Sequence, residues 1–291
     1  MMSDKMALDV HNHQMTRNIV VGVLALQGAF YEHLKLLQRA FREVAIGQDE
    51  GWEFVEVRTA QELERCDALI IPGGESTTVS LVAARSNLLE PLRDFVKVRR
   101  RPTWGTCAGL ILLAESANRT KKGGQELIGG LDVRVNRNYF GRQTESFEAE
   151  LALPFLGTKD GRGDVKPFNG IFIRAPVVEK ILPVIRGEQA SERAIDETVI
   201  APSRSPEGEM NEQVLRPVEV MATLPGRSRT LKKHVAATGL EDEAGDIIAV
   251  KQGNVFGTSF HPELTEDARI HVWWLQQVKD MTQHEEKSRF P

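Results

Sequence analysis

Cysteine is scarce in this sequence, which has only Cys66 and Cys107 among its 291 residues. Two cysteines exclude a disulfide-stapled scaffold and favour a reducing compartment, so we expect a cytoplasmic protein. Cys66 lies just before an apolar segment, from which Asp67 separates it, and is interpreted as a small core residue. Cys107 has a different setting, because glycines flank it on both sides.

Long apolar runs and a charge excess are also lacking. No run approaches the roughly 18 consecutive apolar residues that a membrane-spanning helix needs. The net charge of −4 gives no general attraction to nucleic acid or to an anionic membrane. No spacing of His, Cys, Asp or Glu is typical of a metal site. Metal, nucleic acid and membrane are therefore not expected as partners.

The apolar pattern predicts an α/β fold. Residues 19–26 form a near-continuous apolar run, which is typical of a strand covered on both faces of a parallel sheet. Helical spacing follows over residues 30–44, and another buried strand is predicted at residues 68–71. This alternation predicts an open, mostly parallel three-layer sheet. Short strands after residue 125 predict a small antiparallel extension.

The domain organisation is predicted as one folded domain at residues 19–282, between a disordered lead-in at 1–18 and a polar tail at 283–291. A final helix is predicted to begin at Thr265. Stretches rich in Gly, Pro, Ser and charge predict surface loops inserted between core strands, the second with a little structure near 198–201. These insertions lie near residues 157–167, 186–217 and 225–246.

Cys107 lies in the pattern Gly-Thr-Cys-Ala-Gly, between an extended segment and an apolar helical one. Gly-x-nucleophile-x-Gly between a strand and a helix predicts a nucleophile elbow, because the small residues permit a sharp turn. The turn would direct the next backbone N–H, that of Ala108, toward the reaction centre. A position at a helix N-terminus also favours the thiolate form of Cys107.

A base and a carboxylate lie far downstream. His261 and Glu263 follow an apolar stretch and are two residues apart, so in an extended segment they would share one face. His261 can take the thiol proton, and Glu263 can hold the imidazole in the required tautomer. The leading interpretation is therefore a Cys107–His261–Glu263 catalytic triad. The N–H groups of Gly74 and Ala108 are predicted to form the oxyanion hole.

Several segments carry a family resemblance. The elbow and the segment Phe260-His261-Pro262-Glu263 resemble those of class I, or triad, glutamine amidotransferases. Five segments give a closer match, and together they resemble the glutaminase-subunit family of pyridoxal 5′-phosphate synthase. They are Leu26-Gln27-Gly28-Ala29, Leu69 to Thr78 with its Gly73-Gly74-Glu75-Ser76-Thr77-Thr78, Asn138-Tyr139-Phe140-Gly141-Arg142-Gln143, Phe172-Ile173-Arg174-Ala175-Pro176, and Ser259 through Asp267.

The resemblance implies a flavodoxin-like amidotransferase fold and the hydrolysis of L-glutamine to L-glutamate and ammonia. No metal or organic cofactor takes part in the implied reaction. The ammonia would pass through a tunnel to a separate, ring-forming (β/α)₈ synthase subunit in a hetero-oligomeric complex. That subunit would use it to build pyridoxal 5′-phosphate, the vitamin B6 cofactor.

The resemblance also implies roles for individual residues. By position, they match the glutamine-binding loop (Gly74, Glu75, Ser76), further glutamine contacts (Arg137, Ile173, Arg174) and a residue near the oxyanion region and subunit interface (Gln27). A guanidinium suits the glutamine α-carboxylate, and Glu75 suits its α-ammonium. For Arg137 and Arg174, a structural ion pair is the alternative.

Three other functions stay open on these residues. The first alternative is a glutaminase subunit of another biosynthetic pathway. The second is a cysteine hydrolase or peptidase built on the same type of sheet, and the third is a non-catalytic scaffold of the synthase complex. The family-specific segments disfavour the first. The intact Cys, His and Glu disfavour the last.

Overall fold

The computed structural model describes residues 18–43, 51–118, 125–137, 139, 146–157, 166–185, 187–195, 197–203, 216–224 and 246–289. Most of the Asn138–Gln143 segment and the third predicted insertion lie outside these residues, as does most of the first. The strands in chain order are β1 (Ile19–Leu24), β2 (Trp52–Val57), β3 (Ala68–Ile71), β4 (Thr103–Thr106), β5 (Ala114–Asn118), β6 (Leu131–Asn136), β7 (Ser146–Leu151), β8 (Phe168–Ile173), β9 (Val177–Ile181), β10 (Thr198–Ile200), β11 (Glu219–Leu224), β12 (Asp246–Gln252) and β13 (Val255–Thr258).

The α-helices of the described residues lie between these strands and at the carboxyl end. They are α1 (Phe30–Glu43), α2 (Ala60–Glu64), α3 (Ser76–Arg85), α4 (Leu89–Arg93), α5 (Ala108–Leu113), α6 (Ala190–Arg193) and α7 (Arg269–Arg289). The final helix therefore begins four residues later than Thr265, where the sequence predicts it. A 3₁₀ turn at Pro262–Leu264 comes first, and Asp267 accepts a hydrogen bond from the Arg269 N–H at the start of α7. The helix continues through the polar segment from residue 283.

Helices cover both faces of a central parallel sheet. Strand β1 is buried along its whole length, and its alternate residues enter two separate apolar cores. Val20 and Leu24 pack on the side of α2, α3, α4 and α5. Val21 and Val23 pack on the side of α1 and α7. Because successive strand residues point to opposite faces, this division produces the predicted three-layer α/β arrangement.

The parallel part of the sheet has the strand order β2-β1-β3-β4-β13. Strands β1, β3, β4 and β13 are adjacent and run in one direction, so their carboxyl ends meet at one edge. In open α/β sheets this edge is where ligands bind. The segments that follow these four strands carry most of the residues that the sequence predicts to be functional.

The antiparallel extension that the sequence predicts is also present. The sheet continues from β13 through β12, β9, β6, β5 and β10, and only the β5–β6 pair in this part is parallel. Strands β12 and β13 form a hairpin around Gly253. Strands β7 and β8 form a separate two-stranded antiparallel sheet, with Phe147 stacked on Phe172. The end of β8 brings Ile173 toward the carboxyl edge of the central sheet.

Part of the second predicted insertion packs on the main sheet. Strand β10 pairs with β5, which agrees with the expected structure near residues 198–201. The preceding α6 places Glu192 in a buried position, where its carboxylate binds Arg134 and accepts a hydrogen bond from Ser116. The prediction of a loop is therefore wrong at α6 (Ala190–Arg193), whereas the structure expected near residues 198–201 is present. The charged, loop-like sequence around Glu192 gave no indication that this residue is buried and paired.

Candidate active site

Cys107 lies at a sharp turn between β4 and α5. Its backbone has φ 47° and ψ −99°, a strained conformation for a residue other than glycine. The flanking glycines make this turn possible. A Cβ on Gly105 would lie 2.4 Å from the Gly109 carbonyl carbon, and one on Gly109 would lie 2.1 Å from the Ile71 oxygen. The structure therefore has the sharp strand–helix turn that the sequence predicts.

His261 and Glu263 come together just after β13. His261 Nδ1 lies 2.8 Å from Glu263 Oε1, and both side chains are buried. The His261 N–H donates to the carbonyl of Ile171 in β8, which fixes the backbone at this point. The predicted pairing is present, but its cause differs from the expected extended segment. Glu263 lies in the 3₁₀ turn Pro262–Leu264, which folds its carboxylate back toward the imidazole.

The structure brings Cys107 to the same imidazole. Burial alone would lower the pKa of His261, but the charge of Cys107 and its hydrogen bond, together with Glu263, raise that pKa well above the usual value. Since Nδ1 faces Glu263, Nε2 is the nitrogen available to the thiol. A protonated His261 would stabilise the Cys107 thiolate, and a neutral one would accept its proton.

Gly73 and Gly74 follow β3. Gly73 packs against His261, and Gly74 packs against Gln27 in the segment after β1. A Cβ on Gly73 would lie 2.5 Å from His261 Nδ1, and a Cβ on Gly74 would lie 2.4 Å from Gln27 Oε1. Gln27 Oε1 also accepts the Glu75 N–H at 2.8 Å. The Gly73 carbonyl accepts the Ala29 N–H at 3.1 Å. Gln27 thus fixes the glycine segment that follows β3.

Arg137 comes from the segment after β6, opposite the start of α3. Its guanidinium is buried and donates to the hydroxyls of Ser76 at 2.8 Å and Thr77 at 3.0 Å. Burial lowers the pKa of Arg137 from its ordinary value, and the nearby charge of Glu75 opposes that shift. Arg137 Nη2 lies 4.0 Å from Glu75 Oε1. The structure therefore brings Arg137, Glu75 and Ser76 into one cluster.

The Glu75 carboxylate has a local partner that the sequence interpretation overlooked. Glu75 is the N-cap residue of α3 and accepts hydrogen bonds from the Thr77 and Thr78 N–H groups. Burial raises the pKa of Glu75, but these hydrogen bonds outweigh it, so the pKa lies below its usual value. A carboxylate at this position also interacts favourably with the helix dipole.

Ile173 and Arg174 lie at the end of β8, on the other side of Cys107. The Cys107 Sγ lies 3.9 Å from the Ile173 carbonyl oxygen. Both side chains are exposed, and Arg174 has φ 45°, in the left-handed region. Of the two, the backbone of Ile173 reaches the thiol.

Two buried histidines near the triad were missed at the sequence level. The side chains of His33 in α1 and His271 in α7 are fully buried behind Glu263. His33 lies on the apolar face of a helix otherwise lined by Leu37 and Ala40. A histidine at an apolar helical position was the available signal, but a core histidine without a functional role shows the same pattern.

Comparisons with known proteins identify the family. The SNO glutamine amidotransferase family matches residues 23–205 and 220–280. The Arabidopsis thaliana protein named "Probable pyridoxal 5'-phosphate synthase subunit PDX2" is 39% identical over 270 residues, covering 91% of this chain and 88% of that protein. Pyridoxal 5'-phosphate synthase subunit PdxT of Corynebacterium jeikeium (strain K411) is 37% identical over 262 residues, which cover 90% of this chain and 97% of that protein. A crystal structure described as a glutamine amidotransferase has a TM-score of 0.56 at 34% identity, and the match covers 89% of this chain and 98% of that one.

The mostly parallel sheet with its small antiparallel part has the α/β fold of the class I glutamine amidotransferases. The family match extends over most of the chain. The chain belongs to the SNO glutamine amidotransferase family, and it is a glutamine-hydrolysing enzyme. Over the described ranges, no helix has the length and apolar character to cross a membrane. The same ranges contain no group of three or more metal-ligating side chains.

Proposed function

We propose that this chain releases ammonia from L-glutamine for a pyridoxal 5′-phosphate synthase, with Cys107, His261 and Glu263 as its catalytic triad. The observation that carries the proposal is the convergence of these residues at adjacent strand ends, with His261 hydrogen-bonded to Glu263 at 2.8 Å and near enough to Cys107 for the thiol to raise the pKa of His261. The two relatives described above carry the name of that synthase's subunit.

The proposed reaction has two stages. The Cys107 sulfur attacks the side-chain carboxamide carbon of glutamine, and the carbonyl oxygen becomes an oxyanion held by the Gly74 and Ala108 N–H groups. His261 then donates a proton to the nitrogen as the C–N bond breaks, so ammonia leaves and a glutamyl thioester remains. Next, His261 takes a proton from water. The resulting hydroxyl attacks the thioester carbon, the C–S bond breaks, and glutamate is released.

The glutamine would lie between the glycine loop and Arg137. A buried guanidinium beside two hydroxyls suits the substrate α-carboxylate, because the charged hydrogen bonds form in a desolvated position. Gly74, Glu75 and Ser76 would line one side of the substrate. The Ile173 carbonyl and Arg174 would line the other. Gln27 would hold the loop in register through the Glu75 N–H.

The partner proposed for this chain is the (β/α)₈ synthase subunit of a hetero-oligomeric complex in the cytoplasm. Ammonia that escapes into water at neutral pH is mostly protonated and loses the lone pair with which it attacks. Direct transfer through a protein tunnel keeps it reactive. Proximity of the two reactions would thus explain why a glutaminase forms a complex with its synthase.

Ammonia release from glutamine by wild type, Cys107→Ala and Cys66→Ala, with and without the synthase subunit, tests the proposal. We expect weak activity alone, stimulation by the synthase, and a loss of at least about 10³-fold in Cys107→Ala. Cys66→Ala is the matched control, because Cys66 is also buried and its Sγ bonds the Glu62 carbonyl, away from the triad. Full activity in Cys107→Ala would overturn the triad. Absence of stimulation by the synthase would overturn the partner.

A further inference from the structure

A line of buried side chains continues from the triad carboxylate into the core. Glu263 uses Oε1 for His261, and its second oxygen, Oε2, lies 3.4 Å from His33 Nε2. Both of these side chains are 0% exposed. On its other side, His33 Nδ1 lies 2.9 Å from His271 Nε2. Helices α1 and α7 thus each contribute one histidine to a chain of groups that ends at the proposed base.

The hydrogen-bond partners select one arrangement of protons. If His33 carries its proton on Nε2, that nitrogen lies 3.2 Å from the Thr106 hydroxyl and 3.4 Å from the Glu263 carboxylate, and Nδ1 accepts the N–H of His271 Nε2. His271 Nδ1, which has no partner among the described residues, is then only an unused acceptor. The opposite arrangement would leave a buried N–H of His271 unsatisfied and turn a lone pair of His33 toward a carboxylate. Buried N–H groups are rarely left without an acceptor, so the first arrangement is favoured.

The surroundings keep this pair of histidines neutral. Burial, followed by the charges of His271 and His261, lowers the pKa of His33 well below its usual value. Burial likewise lowers the pKa of His271 to about 3. Trp104 lies against both rings, and the Thr106 hydroxyl lies 3.2 Å from His33 Nε2. A neutral His33 places a ring nitrogen 3.4 Å from Glu263 Oε2 without neutralising the carboxylate.

We propose that His33 is a positioning residue that holds the Glu263 carboxylate toward His261, and that His271 fixes the tautomer in which His33 does so. This proposal rests on the proposed triad, in which Glu263 must orient the base. A buried carboxylate is costly unless its oxygens accept hydrogen bonds. Oε2 of Glu263 has no hydrogen-bond partner among the described residues, and His33 Nε2 lies 3.4 Å from it. The N–H of His33 is therefore a donor placed to orient this carboxylate.

The kinetic test compares His33→Leu with His33→Gln, whose amide N–H can still donate to Glu263. Leu37→Ala is the matched control, since Leu37 is buried one turn along the same helix and its truncation destabilises the core without touching Glu263. We expect His33→Leu to lower kcat about 10- to 100-fold, the range for a lost hydrogen bond to a charged group, with KM unchanged. The pH midpoint that His261 gives to kcat/KM should fall, because a loosened Glu263 supports its protonated form less. His33→Gln should retain most of the wild-type kcat and most of the wild-type pH midpoint.

The tautomers provide a second test that does not depend on folding of a variant. Nitrogen-15 NMR of the histidine rings in the wild-type protein should show the proton on Nε2 of His33 and His271, and on Nδ1 of His261. A proton on Nδ1 of His33 would overturn the proposal. The proposal would also be overturned if His33→Leu and Leu37→Ala had the same kcat and the same pH profile while Cys107→Ala remained inactive. Activity in Cys107→Ala would instead locate the failure in the triad itself.

Discussion

The imidazole of His261 occupies the space that any side chain on Gly73 would need. A Cβ built on Gly73 would lie 2.2 Å from His261 Cε1, 2.5 Å from Nδ1 and 3.2 Å from Glu263 Oε1. Real Cβ atoms do not approach ring atoms this closely, so one of the groups would have to move. The glycine after β3 therefore defines the position of the proposed base, as well as leaving room for the oxyanion loop.

Gly73→Ala should consequently impair catalysis more than folding. The methyl group would push the imidazole away from Cys107 or from Glu263, and small displacements of this kind can cost about 100-fold in rate. We expect kcat for glutamine hydrolysis to fall by about that factor. Gly253→Ala is the control, because its turn has positive φ but no atom within 4 Å of the added carbon. Equal effects of the two variants on kcat, or a Gly73→Ala enzyme of normal kcat, would contradict the argument.

Arg137→Gln should weaken glutamine binding. The variant loses the buried positive charge while keeping a polar group near Ser76 and Thr77. A charge-assisted hydrogen bond contributes about 1.5–3 kcal/mol, so we expect KM to rise about 10- to 100-fold with a smaller change in kcat. Steady-state kinetics with glutamine measure both constants.

The matched control for Arg137 is Arg134→Gln. Arg134 lies three residues earlier and pairs with Glu179 and Glu192, in the antiparallel part of the sheet. Its loss should lower stability and leave KM unchanged. If the two variants raised KM equally, Arg137 would have only the structural ion-pair role that the sequence left open.

The fold was predictable where burial is continuous along the chain. Strand β1 has one apolar residue after another, and only a sheet covered on both faces buries them all. The final helix shows the limit of such patterns. Its apolar spacing predicts a helix but not where it starts, because a 3₁₀ turn at Pro262–Leu264 replaces the expected first turn. Glu192 was unpredictable for another reason, since its burial depends on Arg134, which is distant in sequence.

The candidate site was predictable where its chemistry is local in the sequence. The elbow around Cys107 and the two-residue spacing of His261 and Glu263 are visible without coordinates. The role of Glu75 as a helix cap depends on where α3 begins, which the sequence places only approximately. The contact of His33 with Glu263 joins residues far apart in the chain. No local spacing reveals such a contact, and only the packing of α1 against the end of β13 creates it.

Glu75→Gln distinguishes a helix cap from a substrate contact. The carboxylate accepts hydrogen bonds from Thr77 and Thr78 at the start of α3, and the amide keeps an acceptor but loses the charge. We expect the free energy of unfolding to fall by about 0.3–1 kcal/mol, the usual effect of a charge at a helix end. KM should change little. A rise in KM of about tenfold or more, without loss of stability, would instead assign the carboxylate to the glutamine α-ammonium.

The stability of the protein should decrease as the pH falls below about 6.5, partly because of His271. Its folded-state pKa is about 3, so in acid the unfolded chain takes up a proton that the folded one does not. Each pH unit between the unfolded and folded pKa values then costs up to about 1.4 kcal/mol. In His271→Gln, which keeps a donor for His33, the free energy of unfolding from urea titrations should fall less steeply over that range. Leu37→Ala should give a curve parallel to wild type, and a His271→Gln curve parallel to both would show that His271 is protonated in the fold.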